Sequence, residues 1–439
     1  MRRALLGAAL ALLALAPAAA GRERFDVRLL ARVPAPGQPA LALVARDRTI
    51  YEGTFTNSSG TPNGPSKVFA YSPGGRLLRT YTVRGQDPNA DNGVQVAAED
   101  ADGKLYLLDQ HPARVIQLNP RTGEQKQYGI FKDVPPCPPR GVGNECSDTV
   151  MDNPPEPDYA AWDPDGSLYV TDYQQGLIWR VPPGGGVAHV WFTDPQIDGA
   201  QFGPAGIMLM PDHRTLMLAT SSGGVLGPSP TTGELYTLPI EPNGTPGRLR
   251  TIYESGSAEA PDGFALAKSG NVYLALVGPN VNKLVVIAPD GHEIARISHE
   301  ASGPRDVPFD EPASVWFDGR RLIVANDAFF SGDPSHFALF DVYAGEQGRP
   351  VFIPRLHPRY TVTAVPGTVA VGRPVVLRVR ALRNGRALRG AELRFGHLRA
   401  RTGRDGRARM RARVTHAGGH AVRLIVGGHR AATAPVLAR

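Results

Sequence analysis

Cysteine is scarce. The 439-residue chain has two, Cys137 and Cys146. That excludes a disulfide-dense scaffold and a structural zinc site built on four cysteines. Long apolar runs are missing after the first twenty residues, so a bundle of membrane-spanning helices is excluded and no transmembrane span is expected. Segments of helical period are missing after residue 21. H-E-x-x-H, G-x-S-x-G, P-loop and G-x-G-x-x-G contexts are missing too, so those chemistries find no support. From Leu356 onward lysine is absent and only two acids occur, Glu392 and Asp405. The same stretch holds 18 arginines and carries +16, whereas the remainder holds 30 basic and 39 acidic residues and carries −9. So strong an asymmetry predicts an acidic body and a separate basic domain.

What is present is turn chemistry and short strands. Gly (50) and Pro (41) make up about a fifth of the chain, and 42% of it is hydrophobic; this favours a strand-rich fold over a disordered one. The first twenty residues read as a secretory signal peptide: Arg2 and Arg3, an apolar run over Ala4–Ala16, then small residues up to Ala20. An uncleaved anchor is the alternative. Export is the expectation, with a secreted, monomeric mature chain. In that setting Cys137 and Cys146, close together in a Pro/Gly-rich loop, are expected to pair as a disulfide; a metal clip would need two further ligands.

Asp158–Val181 shows the unit. An apolar strand over Tyr159–Trp162 meets an Asp163–Gly166 turn, a second strand follows over Ser167–Thr171, and a third over Leu177–Val181. The turn and second strand recur, with Tyr51, Tyr106, Tyr169, Met217, Tyr273 and Ile323 at the aligned position. Six four-stranded units at a period near 50 predict a six-bladed β-propeller over residues 25–355. Phe25–Val33 has no unit of its own and is expected to close the ring as the outer strand of the last blade. Pro350, Pro354 and Pro358 mark a boundary. Beyond it, residues 360–439 alternate polar and apolar residues over short strands, predicting a small immunoglobulin-like β-sandwich. The fold class expected is all-β.

Three stretches carry a resemblance: Pro261-Asp262-Gly263-Phe264-Ala265-Leu266, the run Asp163–Asp172, and Gly203-Pro204-Ala205-Gly206. On these the body resembles the SMP-30/gluconolactonase/LRE-like propellers, and the tail resembles bacterial Ig-like modules. The resemblance implies a divalent cation (Ca²⁺, Mg²⁺ or Mn²⁺) held in the central channel by a Glu, an Asn and an Asp, and metal-assisted opening of a lactone. Counting eight residues back from each turn glycine or its equivalent gives Gln95, Asp158, Ala205, Asp262 and Glu311 or a neighbour, with Gln38 or Pro39 in the first unit. Asp262 matches the ligating Asp. Ala205 stands where the Asn is expected.

The expectations are therefore Asp262 and Glu311 as metal ligands, Asp262 and Asp158 as catalytic groups, and Gln95 and Asp158 facing a small-molecule ligand in the channel. Two functions stay open: a metal-dependent lactone or ester hydrolase with a degraded metal site, or a non-catalytic propeller binding a sugar, small ligand or wall component. In the second, the Ig-like domain is a spacer or adhesion module. The arginine-rich tail is expected to contact cell-wall or other polyanions, or simply to be a solvated face.

Overall fold

A computed structural model describes residues 22–439, except 56–63, 88, 91, 138–145, 148–152, 199–201, 223–230, 357–359 and 384–385. The expected signal peptide, Pro358 and the Asn384-Gly385 turn lie outside the described residues.

The described chain is β-structure apart from one 3-10 turn, Pro195–Ile197. Blade 3 follows the expected unit: Pro157–Trp162, Leu168–Asp172, Leu177–Val181 and His189–Thr193 form one antiparallel sheet in chain order. The innermost strands of the six blades are Gln38–Val44, Val94–Glu99, Pro157–Trp162, Pro204–Leu209, Pro261–Leu266 and Pro312–Asp318. Each packs on the next, and the sixth packs on the first, so the ring closes. Val27–Arg32 pairs antiparallel with Ala338–Tyr343, completing blade 6 with a strand from the opposite end of the propeller. The chain is thus a six-bladed propeller followed by a β-sandwich.

The aligned tyrosines explain why the turn is kept. Tyr169 is fully buried, and its hydroxyl donates to Asp163 Oδ2 at 2.7 Å. Tyr106 does the same to Asp100 at 2.9 Å. Each aspartate also takes turn N–H groups on its other oxygen. One side chain therefore closes the hairpin and satisfies a hydroxyl that burial would otherwise leave unpaired. Asp172 and Asp109 end second strands; the first caps turn N–H groups and the second holds neighbouring side chains. Asp172 accepts from Glu156 N, Gln175 N and the Trp179 indole; Asp109 accepts from Gln86 and Arg114.

The Pro350–Pro354 segment does more than mark a boundary. Arg349 N donates to Leu266 O in blade 5, and Pro354 O accepts from Ala101 N in blade 2. Between these anchors Val351, Phe352 and Ile353 join Trp162, Phe264 and Trp316 around a cavity at the base of the channel. The strap lies across that end of the channel.

In the sandwich, one sheet holds Tyr360–Val365, Pro374–Arg383 and Arg407–Arg413; the other holds Glu392–Phe395, Gly418–Val426 and His429–Ala438. Leu377, Val379 and Met410 from the first share a core with Leu393, Val422 and Leu424 from the second. His429–Ala438 escapes a reading of the sequence because Pro435 interrupts its pattern; it runs beside only the two-residue strand Thr368–Val369 on its other edge, where a missing N–H is tolerated. Arg378 opposes Arg409 and Arg380 opposes Arg407 on the outer face of the first sheet, all four exposed.

Candidate ligand-binding site at the channel mouth

Strand register fixes which residues ring the channel. Pro157, Pro204, Pro261 and Pro312 each pair with the last residue of their blade's second strand, Pro39 with the last but one, and a bulge follows at once. The residue after each proline is the ring position: Ala40, Asp158, Ala205, Asp262 and Ala313, with Gln95 equivalent in blade 2. Asp158, Asp262 and Gln95 thus lie where the sequence places them.

Glu311 does not occupy the ring position. Five of the β-hairpins between first and second strands close with five or six residues, but Asp318 and Arg321 pair directly across Gly319-Arg320. Counting back from Gly319 therefore overshoots, and the ring position is Ala313. The Glu311 carboxylate instead accepts the Phe330 N–H at 2.6 Å and anchors the loop carrying Phe329 and Phe330. In blade 1 the position is Ala40; the Gln38 amide is buried and donates to Ala328 O at 2.9 Å.

A second ring sits above the first, at the residue four places beyond each aligned position: Phe55, Gln110, Tyr173, Ser221, Val277 and Asp327. Five of these six, with Ala40, Gln95, Asp158, Asp262 and Ala313 from the ring below, line one cavity open to solvent. Its rim is aromatic. Phe55 and Phe329 lie 6.1 Å apart, Phe329 and Phe202 6.1 Å, and Phe202 and Tyr173 5.6 Å between ring centroids.

Tyr159 makes the floor. It lines both this cup and the basal cavity beneath it. Its hydroxyl donates to Ala313 O in blade 6 at 3.2 Å and also meets the Asp262 carboxylate. Gly263 permits this crossing: a Cβ there would stand 2.4 Å from the Tyr159 hydroxyl. That is the physical reason for glycine in Pro261-Asp262-Gly263.

The cup is acidic, and among the described residues no basic side chain lines it. Asp158 Oδ1 accepts from Gln95 Nε2 at 2.6 Å. Burial, then the neighbouring Asp262 charge, raises Asp158 well above the usual carboxyl range. Asp262 keeps partial solvent contact, and burial pushes it up to about 7, against the Tyr159 hydrogen bond. Burial and the Asp262, Glu311 and Glu52 charges raise Asp327. Glu52, fully buried in blade 1, accepts from Ala40 N at 2.8 Å and is pushed up to about 8 by burial.

The residues present do not fit the divalent-cation site implied by the resemblance. Of its three positions only Asp262 offers an oxygen to the cup; Ala205 offers none, and Gln38 is turned to Ala328. Among the described residues no group of three or more His, Cys, Asp or Glu side chains is arranged to hold a metal ion. Cys137 and Cys146 form the expected disulfide, with Cα atoms 4.9 Å apart.

The fold has known counterparts. Regucalcin of Agrobacterium tumefaciens, described as a calcium-binding protein, aligns with a TM-score of 0.51 at 16% identity, over 76% of this chain and 98% of that one. A luciferin-regenerating enzyme aligns at 0.48 and 13% identity, over 76% and 100% of the two chains. The PQQ-bound aldose sugar dehydrogenase of Streptomyces coelicolor aligns at 0.47 and 14%, over 73% and 98%. The likeness to regucalcin is one of fold. No family model matches the chain, and no curated protein matches it.

One signal would have found most of the site from sequence: the second ring follows from adding four to each aligned position. Tyr159, adjacent to Asp158, is disguised as an ordinary apolar strand residue.

Proposed function

We propose that this chain is an exported propeller of the SMP-30/gluconolactonase-like type that binds a small organic molecule in the mouth of its channel. One observation carries the reading: the channel is floored by Tyr159 and strapped at the base, while the open end is an aromatic-rimmed cup with buried polar groups at its bottom. Concave, mostly apolar sites with a few convergent polar groups are what small ligands occupy. Ligand-detected NMR against a fragment set tests it. Binding should fall when Phe329→Ala opens the rim or Asp158→Asn alters the floor. Fragments that bind both variants as they bind the native chain would refute it.

A second reading, hydrolysis of a lactone or ester, is favoured by Asp158 and Asp262. They are two carboxyls in one water-accessible cup, the pairing general acid–base chemistry uses. One would take a proton from the attacking water and the other would protonate the leaving oxygen. Release of hydroxy acid from a γ-lactone panel, lost in Asp262→Asn, is the expected result; release no faster than the buffer blank would remove this reading.

We also propose that the sandwich contacts polyanions through its arginine face. Arg378, Arg380, Arg407 and Arg409 face one another across two strands. Among the described residues, the two ion pairs within the sandwich both use Glu392, on the other sheet. Like charges in cross-strand register repel, and an anionic polymer would relieve that repulsion.

A further inference from the structure

The cup's bottom is short of hydrogen-bond donors. Asp327 is 6% exposed and lines the cup, and its Oδ1 has no hydrogen-bond partner among the described residues. Gln95 is 4% exposed and lines it from blade 2; its amide nitrogen is committed to Asp158, and its Oε1 is likewise without a partner. Both orphans are acceptors. A buried acceptor left unpaired carries its full desolvation cost, so a complementary occupant must bring N–H or O–H groups. Among the described residues no lysine, arginine or histidine reaches the cup to supply them; without a cation there, burial raises Asp158, Asp262 and Asp327 above the usual carboxyl range, and a bound cation would favour their charged forms. The upper wall is electrostatically of the same kind. Phe202, Phe329 and Phe330 form a contiguous cluster, with centroids 5.2 Å apart for Phe329–Phe330 and 6.4 Å for Phe202–Phe330. Aromatic faces attract cations.

We propose that the cup selects a small organic cation, an amine whose ammonium group is held by Asp327 and whose apolar body lies against the Phe202–Phe329–Phe330 wall. This rests on the ligand-binding reading above and names the class of ligand. An ammonium brings three donors and one positive charge, and so answers both the orphan acceptors and the uncompensated carboxyls. A carboxylate or phosphate ligand would add acceptors and negative charge where both are already in excess. A divalent metal would need an oxygen set that the ring positions do not provide. A neutral polyol would pair the acceptors but leave the carboxyls uncompensated and gain little from the aromatic wall.

Calorimetric titration of the full chain with four probes tests this: benzylamine, benzyl alcohol, phenylacetate and calcium chloride. Benzylamine should bind at least about tenfold more tightly than benzyl alcohol, and phenylacetate should not bind. In Asp327→Asn, which keeps the side chain's shape, the benzylamine affinity should fall about tenfold or more and the benzyl alcohol affinity by much less; an unchanged far-ultraviolet circular dichroism spectrum shows that the variant is folded. In Phe329→Ala the amine should lose a few-fold. Equal binding of amine and alcohol would overturn the cation inference and leave the ligand site standing. Calcium binding that displaces benzylamine would overturn it in favour of a metal. No binding of any probe would remove both the inference and the site reading beneath it.

Discussion

Glu52 offers a quantitative test of the buried acid cluster. It is fully buried, takes one N–H from Ala40, and leaves Oε2 without a partner. Burial moves it from 4.5 to about 8. A folded-state value above the unfolded one means that the folded chain holds this proton more tightly. The associated stability is therefore complete below about pH 4.5, is lost as the pH rises, and is gone above about pH 8. At about 1.4 kcal/mol per unit, 3.5 units set an upper limit near 5 kcal/mol; relaxation and water entry bring the expected value to about 2–3 kcal/mol. Glu52→Gln cannot ionise, and its amide oxygen still accepts from Ala40. The variant should match the native chain at pH 4.5 and exceed it by about 2–3 kcal/mol at pH 8.5. Denaturant titration followed by tryptophan fluorescence measures this on the propeller alone, because Trp162, Trp179, Trp191 and Trp316 all lie there. Parallel stability–pH curves for the two proteins would refute the reasoning.

Two further outcomes follow from the packing. Tyr169→Phe removes the donor to Asp163 Oδ2, although Arg180 still reaches that oxygen at 3.3 Å; the propeller should lose about 1–2 kcal/mol in the same fluorescence assay, and an unchanged midpoint would contradict the capping account. Replacing Arg378, Arg380, Arg407 and Arg409 by serine should lower the salt needed to elute the full chain from heparin, more than serine at Arg399, Arg404, Arg430 and Arg439 does; equal shifts would reduce the effect to net charge.

The propeller was legible because its repeat is written in turns. Asp100, Asp163 and their glycines recur at fixed offsets, and hairpin chemistry is local. The sandwich core was legible for the same reason wherever alternation was regular, and failed at Pro435. The first ring was read correctly where a glycine marks a hairpin of the common length, giving Gln95, Asp158 and Asp262. It slipped in blade 1, to Gln38 or Pro39 instead of Ala40, where the hairpin has no glycine, and at Glu311, because a two-residue turn replaces a longer one in blade 6. Asp327 and the aromatic rim went unseen since they follow the second strand, where capping is the ordinary expectation. That expectation holds for the residue before, as Asp172 and Asn326 show: each accepts backbone N–H groups. The strap is the least legible element. Nothing in Val351-Phe352-Ile353 tells a linker from a plug until both anchors, Leu266 and Ala101, are known.

The most direct test of the central claim is a crystal structure of the full chain soaked with whichever fragment raises its thermal midpoint most. The account predicts that fragment in the channel mouth, above Tyr159 and against Phe329. A fragment bound instead in the basal cavity under Phe352, or on the sandwich, with the cup empty, would contradict it.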